Sequence, residues 1–382
     1  MISTAAGNGA PAPSSASATP QRGRRWVTAG ILPERRLGYA NRPAAPGGAL
    51  PGHFVTVIDV HTHMLTRAYL RLLHDKGAPK YTEGVNAAGQ QIIRMHGAPF
   101  MTLMEPMWDY DLRVRDMDAA GVDIAIVSLT CPNAYFGDAD TSAQAARLVN
   151  DSMAEQQTLR PDRIRWLASL PWQHERLALA ELARACSAGA VGVMVIANID
   201  GQNLTDPAFA RIWEEIDRRA LPVLVHPGTP QGVREMHMQE YGLVPPVGFA
   251  FDTTLAVARM IFDGFLDRYP RLKLIAAHGG GTLPYLAARL DRCHEMIPAC
   301  AEVTQTKPSE YLRRIYYDAV LYSPGALALC LEAAGSDERV LYGSDYPHNI
   351  GDMAGCLARV DALPRAAARN VRGTNAMRLF GL

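Results

Sequence analysis

The sequence predicts an α/β fold of the (β/α)8 TIM-barrel type, with a small insertion after the first strand and an irregular N-terminal extension. After residue 52, eight short apolar runs rich in valine and isoleucine alternate with longer amphipathic stretches. Apolar runs of this kind are typical of parallel strands that are covered on both faces. No GxGxxG or Walker sequence follows the first run, which disfavours the alternative of an open doubly wound sheet.

Each predicted strand is followed by a stretch that can form a helix, as a barrel requires. The predicted strands are 54–63, 122–130, 164–172, 190–198, 222–228, 272–280, 314–322 and 339–347. The clearest helix patterns are 111–121, 141–161, 206–220, 253–270 and 323–335. Gly121 is suited to ending the first of these helices. Thr141 or Ser142 is suited to capping the start of the second.

Two segments fall outside the repeat. Residues 66–108 are too many for an ordinary βα loop. Their stretch YTEGVNAAGQQIIRM predicts a small hairpin, and an insertion after the first strand of a barrel lies over the active-site mouth. Residues 1–52 are rich in Ala, Pro, Ser and Gly. We expect them to form a flexible or surface-draped extension and residues 53–382 to form the barrel domain.

Composition argues against several classes of partner. The chain has 38 basic and 38 acidic residues, so no long-range field favours nucleic acid or an anionic membrane. Its apolar runs are shorter than the roughly 18 residues of a membrane-spanning helix. The six cysteines form no CxxC pair and no disulfide framework. We therefore expect a cytoplasmic protein that binds neither nucleic acid nor membranes.

Five residues of metal-ligand type lie at the ends of predicted strands. His61 and His63 end the first strand, and residues two apart on a strand point to the same side. His226, His278 and Asp345 end the fifth, sixth and eighth strands. In a barrel these ends meet at one face. Imidazole and carboxylate groups bind zinc and its first-row neighbours, so the pattern predicts a closed four-ligand site of three of these histidines and Asp345.

The segments around these residues carry a resemblance. IDVHTH, VLVHPG, AAHGGG and LYGSDYP, in this order, resemble the amidohydrolase superfamily. They are most similar to its branch of 2-amino-3-carboxymuconate-6-semialdehyde decarboxylase and related aromatic-acid decarboxylases. The segment WDYDLRVRDMDAAGVDIAIVS, at 108–128, is also similar to that branch. The resemblance covers about residues 55–382.

The resemblance implies one divalent metal ion in a (β/α)8 barrel, with zinc the usual ion and manganese the alternative. The implied ligands are His61, His63, His226 and Asp345, of which Asp345 also belongs to the catalytic set. His278 is implied to be the general base, hydrogen-bonded to the water on the metal instead of binding the ion. The residues alone did not decide which three of the four histidines bind the ion. The resemblance implies that His278 is not one of them.

The resemblance also concerns substrate binding. It implies a homodimer in which Arg289, on the helix after strand six, binds a substrate carboxylate in the neighbouring subunit. Gly228 and His348 stand where the semialdehyde decarboxylase has aromatic residues, and His348 becomes a candidate substrate-binding residue. Arg94 lies at the wrong spacing from Trp108 to replace a second carboxylate-binding arginine of that enzyme. These departures predict a different substrate.

The predicted activity is metal-dependent, non-oxidative decarboxylation of an aromatic or unsaturated carboxylic acid, using metal-bound water and a histidine base. The alternative is a hydrolase or hydratase of the same superfamily, acting on a lactone, an amide or a C=C bond. A third hypothesis is a metal-binding or scaffold protein without activity. The presence of every implied ligand disfavours the third.

Overall fold

The computed structural model describes residues 56–382, and the predicted extension lies outside them. All eight predicted strands are present. In chain order, the strands are β1 (Ile58–Met64), β2 (Tyr81–Val85), β3 (Gln91–Met95), β4 (Ala98–Thr102), β5 (Ile124–Leu129), β6 (Ile164–Ala168), β7 (Gly192–Ile196), β8 (Asn198–Ile199), β9 (Gln202–Asn203), β10 (Pro222–His226), β11 (Lys273–Ala276), β12 (Tyr316–Asp318) and β13 (Val340–Leu341).

One eight-stranded sheet has the order β1-β5-β6-β7-β10-β11-β12-β13, and its neighbouring strands are parallel. The first and last strands of this sheet also meet. The Val60 N–H donates to the Tyr342 carbonyl at 3.0 Å, and a parallel bridge joins Thr62 to Tyr346. The sheet is therefore a nearly closed barrel, and the predicted fold class is confirmed. We call this junction of β1 with residues 342–346 the seam.

Helices alternate with the barrel strands. They are α1 (Arg67–Lys76), α2 (Tyr110–Ala120), α3 (Ala139–Leu159), α4 (Glu175–Ser187), α5 (Ala210–Arg218), α6 (Phe249–Phe262), α7 (Phe265–Arg268), α8 (Ala277–Gly280), α9 (Leu283–Met296), α10 (Pro308–Leu312), α11 (Pro324–Ala334), α12 (Met353–Asp361), α13 (Arg365–Arg369) and α14 (Asn375–Phe380). Among the helices of residues 56–382, none combines the length and apolar character needed to cross a bilayer.

The helix ends follow the capping chemistry, with two corrections. Gly121 ends α2 with a φ of 77°, as predicted. Helix α3 starts earlier than predicted, because the Asp138 carboxylate caps it by accepting from the Thr141 N–H at 2.9 Å. The predicted helix over 253–270 is wrong as a single unit. Gly264, with a φ of 64°, separates α6 from α7.

The insertion forms its own small antiparallel sheet, β2-β3-β4. The predicted hairpin is confirmed as β2 and β3, paired from Tyr81 opposite Met95 to Val85 opposite Gln91. Strand β4 was not predicted from the sequence. Five residues of this segment reach the cavity described below, which places the insertion beside the mouth of the barrel: Lys80, Tyr81, Met95, His96 and Phe100.

Candidate metal centre

Strand β1 brings two imidazoles together at the C-terminal end of the barrel. His61 and His63 are fully buried, and their Nε2 atoms lie 3.0 Å apart. Both side chains lie on the same side of the strand because they are two residues apart. Two nitrogens this close, with both lone pairs available, can share one cation.

His226, the last residue of β10, adds a third imidazole. Its ring centroid lies 5.0 Å from that of His61 and 4.6 Å from that of His63. The His226 Nδ1 lies 2.7 Å from the carbonyl of Pro227. Since a carbonyl only accepts, Nδ1 carries the proton and the lone pair is on Nε2. That lone pair is the one a metal would use.

Asp345 follows β13 at the seam. Its Oδ1 lies 3.4 Å from His61 Nε2 and 3.2 Å from His63 Nε2. Its N–H donates to the His61 carbonyl at 2.8 Å, which fixes the aspartate against β1. Its φ is 59°, a left-handed conformation that costs a non-glycine residue about 1 kcal/mol. Such conformations concentrate at functional sites.

Two buried atoms test whether a metal ion fits here. His226 Nε2 and Asp345 Oδ1 are both buried, and neither has a hydrogen-bond partner among residues 56–382. Unpaired buried polar atoms are costly. Both atoms face the neighbouring imidazoles, and one divalent cation would satisfy them together. The donor set of nitrogen and carboxylate oxygen suits such an ion, so the residues fit the metal.

His278 lies just beyond β11, with a φ of 54°. Its Nε2 is 3.7 Å from Asp345 Oδ2, and its side chain is 17% exposed, unlike the fully buried His61 and His63. Distance alone would admit it as a ligand, because single donor atoms of His61, His226, His278 and Asp345 all lie within 4.8 Å of one another. Its partial exposure places it between the cluster and solvent, where a proton can be exchanged.

Asp318, at the end of β12, was missed by the sequence analysis. Its Oδ2 lies 2.6 Å from His61 Nδ1 and accepts from the His278 N–H at 3.0 Å. One carboxylate therefore orients two histidines of the cluster. Asp59 supports the same histidine through the backbone, accepting from the His61 N–H at 3.1 Å and from the Ser344 N–H at 3.1 Å. Asp318 could have been noticed in the sequence as an acidic residue within a mainly apolar predicted strand.

Electrostatics favour neutral imidazoles and ionised carboxylates. Burial lowers the pKa of His63 to about 3, and it also lowers the pKa of His226 well below its usual value. Burial opposes the charge of Asp345, but the attraction of the surrounding histidines, His278, His61 and His63, outweighs it and holds its pKa well below the ordinary range. In the same way His61 keeps the pKa of Asp318 low against its burial. One divalent cation would neutralise the two buried negative charges of Asp345 and Asp318.

His61 behaves differently from the other two strand histidines. Burial disfavours its protonated form, but the carboxylates of Asp318 and Asp345 outweigh burial and raise its pKa to about 10. The imidazolium thus balances part of the negative charge. A cation at Nε2 would replace that proton while Asp318 keeps its hydrogen bond to Nδ1.

A cavity of about 450 Å³ lies next to the segment that follows His226. Its wall near the cluster includes Cys131 and Gly228, and the Cys131 Sγ donates to the Pro227 carbonyl that also orients His226. One part of the wall is aromatic and apolar, with contributions from Tyr81, Met95, Phe100, Tyr135 and Ile196, and the opposite part carries polar and charged side chains, among them Gln231, Arg234 and Glu235. Lys80 and Asp200 form an ion pair at its edge. The cavity suits a flat, apolar molecule with one end at the cluster.

The remaining predicted residues divide into two groups. His348 lies at the cluster, half-buried, with its ring centroid 5.0 Å from that of His63 and its Nε2 2.9 Å from Thr130 Oγ1. Arg289 is exposed on α9 and forms no ion pair within the described part of this chain. Arg94 is half-buried; it donates to the carbonyls of Gly97 and Val85 and does not line the cavity.

Sequence comparison identifies the family. The family model described as Amidohydrolase matches residues 58–382, which include the whole cluster and every barrel strand. The chain belongs to the amidohydrolase family. The 2-amino-3-carboxymuconate-6-semialdehyde decarboxylase of Dictyostelium discoideum is 29% identical to this amidohydrolase over 332 residues, covering 85% of this chain and 91% of that protein.

Solved structures show the same architecture. The 5-carboxyvanillate decarboxylase of Sphingomonas paucimobilis matches this amidohydrolase with a TM-score of 0.74 at 26% identity, covering 86% of this chain and 100% of that one. The 5-carboxyvanillate decarboxylase of Novosphingobium aromaticivorans, crystallised with manganese and 4-hydroxy-3-methoxy-5-nitrobenzoic acid, matches with a TM-score of 0.74 at 24% identity, covering 86% and 96%. The second likeness shows the shared barrel.

Proposed function

We propose that this amidohydrolase catalyses the non-oxidative decarboxylation of an aromatic or unsaturated carboxylic acid. The observation that carries the proposal is the buried histidine and aspartate cluster beside a cavity with a partly aromatic wall. The relatives identified above are decarboxylases of such acids. A planar acid can lie between Tyr81, Phe100 and Tyr135 with its reacting carbon directed toward the cluster.

The proposed ligands of the divalent ion are His61, His63, His226 and Asp345. When bound, the ion supplies Lewis acidity to an oxygen at the reacting centre. The protein holds the ligands in place before the ion arrives: Asp318 bonds His61, the Pro227 carbonyl bonds His226, and the seam holds Asp345. This arrangement lowers the reorganisation needed for binding.

His278 is the proposed proton carrier. Its Nε2 lies 3.7 Å from Asp345 Oδ2, so the carboxylate can stabilise a proton on this nitrogen until the substrate binds. The imidazolium gives its proton to the ring carbon that bears the carboxylate. The bond from that carbon to the carboxylate carbon then breaks, CO₂ leaves, and the bonding electron pair restores the unsaturated system. Proton, charge and atoms balance without an oxidant.

Substrate binding is assigned to His348 and Arg289. His348 is placed to hydrogen-bond a polar ring substituent, since it lies beside His63 at the cluster. Arg289 would reach the site of a second copy in a homodimer. The exposed apolar side chains Phe251, Leu255 and Tyr285 support a contact face next to it. The link between Thr254 and Thr282 at 2.8 Å places α6 beside the start of α9.

Zinc is our proposal for the ion, because three imidazoles and one carboxylate suit it well. Manganese, which the Novosphingobium enzyme contains, is the alternative to test. A cytoplasmic location is also a proposal; it rests on the six cysteines, which are present as free thiols.

The test is turnover by the full chain loaded separately with zinc and with manganese. Purified protein is incubated with hydroxylated and methoxylated benzoic acids and with unsaturated dicarboxylic acids, and CO₂ release and product mass are measured. We expect loss of CO₂ from at least one acid, abolished in His278→Gln and retained in the control His237→Gln, whose side chain is 77% exposed. Gain of water by a product, or no CO₂ from any acid with either metal, would refute the decarboxylase proposal.

A further inference from the structure

Helix α2 buries one of its two arginines beneath the cluster. Arg113 is fully buried, whereas Arg115 on the same helix is exposed. The Arg113 Nη1 donates to Thr62 Oγ1 at 2.7 Å, and its Nη2 donates to the carbonyls of His63 and, at 3.3 Å, Pro106. A guanidinium can make such contacts in several fixed directions at once, which a lysine cannot.

These contacts span the seam. The Thr62 hydroxyl that accepts from Arg113 donates to the Tyr346 carbonyl at 2.9 Å, and the His63 N–H donates to the same carbonyl at 2.6 Å. The Arg113 guanidinium also lies 5.0 Å from the centre of the Tyr346 ring. Arg113 therefore contacts the strand that carries His63 and the residue that follows Asp345.

Packing alone does not account for an arginine at this position. Arg113 forms no salt bridge to a carboxylate within 4 Å among the described residues, and its Nε has no hydrogen-bond partner there. Burying a guanidinium in this state is costly, and an apolar side chain of similar size would fill the same space without that cost. Two of the contacts that offset the cost go to the Thr62 hydroxyl, between two proposed ligands, and to the carbonyl of the proposed ligand His63.

We propose that Arg113 is a positioning residue of the metal centre, which fixes the spacing between the imidazole of His63 and the carboxylate of Asp345. The inference rests on the ligand set of the proposed function and is independent of which acid is the substrate. Loss of the guanidinium would let β1 and the turn at Asp345 separate. The ion would then lose one of its donors or bind with distorted geometry.

The experiment titrates Mn²⁺ and Zn²⁺ into metal-free full-length protein by calorimetry, and records the electron paramagnetic resonance spectrum of bound Mn²⁺. The variants are Arg113→Met, Arg113→Lys and Thr62→Val, with Arg115→Met and Arg115→Lys as matched controls on the exposed face. Thermal melting of each metal-free protein measures structural damage separately. We expect Arg113→Met to raise the Kd about 10- to 100-fold and to broaden the spectrum. Arg113→Lys should recover part of the affinity.

Thr62→Val removes only the hydroxyl that links Arg113 to the Tyr346 carbonyl, so it keeps the inference testable if Arg113→Met fails to fold. We expect it to weaken metal binding more than either Arg115 variant does. Wild-type affinity and spectrum in folded Arg113→Met, or in Thr62→Val if Arg113→Met fails to fold, would overturn the positioning role. Failure of the wild-type protein to bind either metal would instead overturn the proposed ligand set, and the positioning role with it.

Discussion

Asp318 lies with its Oδ2 2.6 Å from Nδ1 of His61, although the two residues are 257 positions apart in the chain. This contact fixes the His61 ring so that its other nitrogen faces His63 and Asp345. The same carboxylate holds the backbone of His278 and Gly279. A single side chain thus aligns a proposed ligand with the proposed proton carrier.

Replacing Asp318 by Asn should therefore weaken metal binding. The amide keeps the size of the side chain but removes the negative charge that supports His61 as a donor, and loss of such a partner typically costs 10- to 100-fold in affinity, which is about the change we expect in the Kd for Zn²⁺. Calorimetric titration of the metal-free protein measures it. Asp162→Asn, at an exposed position, is the control. An unchanged Kd in Asp318→Asn would contradict the orienting role.

His278→Gln should separate binding from chemistry. Because His278 is proposed to carry the proton and not to bind the ion, metal content by elemental analysis should match that of the wild-type protein, while kcat should fall about 10²- to 10⁴-fold. Loss of metal in this variant would place His278 among the ligands, an arrangement that the 4.8 Å donor spacing admits.

Arg289 should act on the neighbouring subunit. Arg289→Ala is expected to raise KM with little effect on metal content, because its guanidinium would bind a substrate carboxylate. At a substrate concentration far below the raised KM, mixing Arg289→Ala with His278→Gln should then restore about a quarter of the wild-type activity, since half of the dimers are mixed and one of their two sites is intact. Absence of any restoration after subunit exchange would argue that Arg289 does not act across an interface.

Metal removal should destabilise the folded protein. Without the ion, the buried atoms His226 Nε2 and Asp345 Oδ1 would have no hydrogen-bond partner among residues 56–382, which lowers the free energy of unfolding. Chelation also removes the bound ion itself. At a free concentration of 100 times its Kd, such an ion contributes about 2.7 kcal/mol to the free energy of unfolding. Calorimetric melting before and after dialysis against EDTA should show a lower Tm that returns on adding Zn²⁺. Equal Tm values in the two states would show that the cluster binds no ion that stabilises the fold.

The barrel could be predicted because short stretches of sequence determine its strands and its helix ends. Apolar runs mark the strands, and capping residues such as Gly121 mark helix ends. The five cluster residues were found because each ends a strand and barrel geometry brings strand ends together. Strand β4 was missed because Pro99, which cannot donate to a strand partner, interrupts its pattern.

Features that depend on distant partners could not be predicted. An aspartate in a strand gives no sign that its partner is a histidine on β1, so Asp318 was missed. Arg113 lies in a helix whose pattern places arginines at the surface, and only the packing of α2 against the seam buries it. The cavity is formed by five separate chain segments whose approach is set by tertiary structure: 80–81, 95–100, 131–135, 196–201 and 228–235.

The seam also has a consequence for biosynthesis. A nascent chain stopped before residue 345 would contain the three proposed ligand histidines but not the carboxylate, and β1 would lack the N–H of Asp345 that bonds His61. The complete donor set therefore exists only after the last barrel strand has been synthesised and has paired with the first. With the proposed ligand set, a chain that ends before Asp345 lacks the carboxylate donor, so complete coordination of the ion requires translation of nearly the whole barrel.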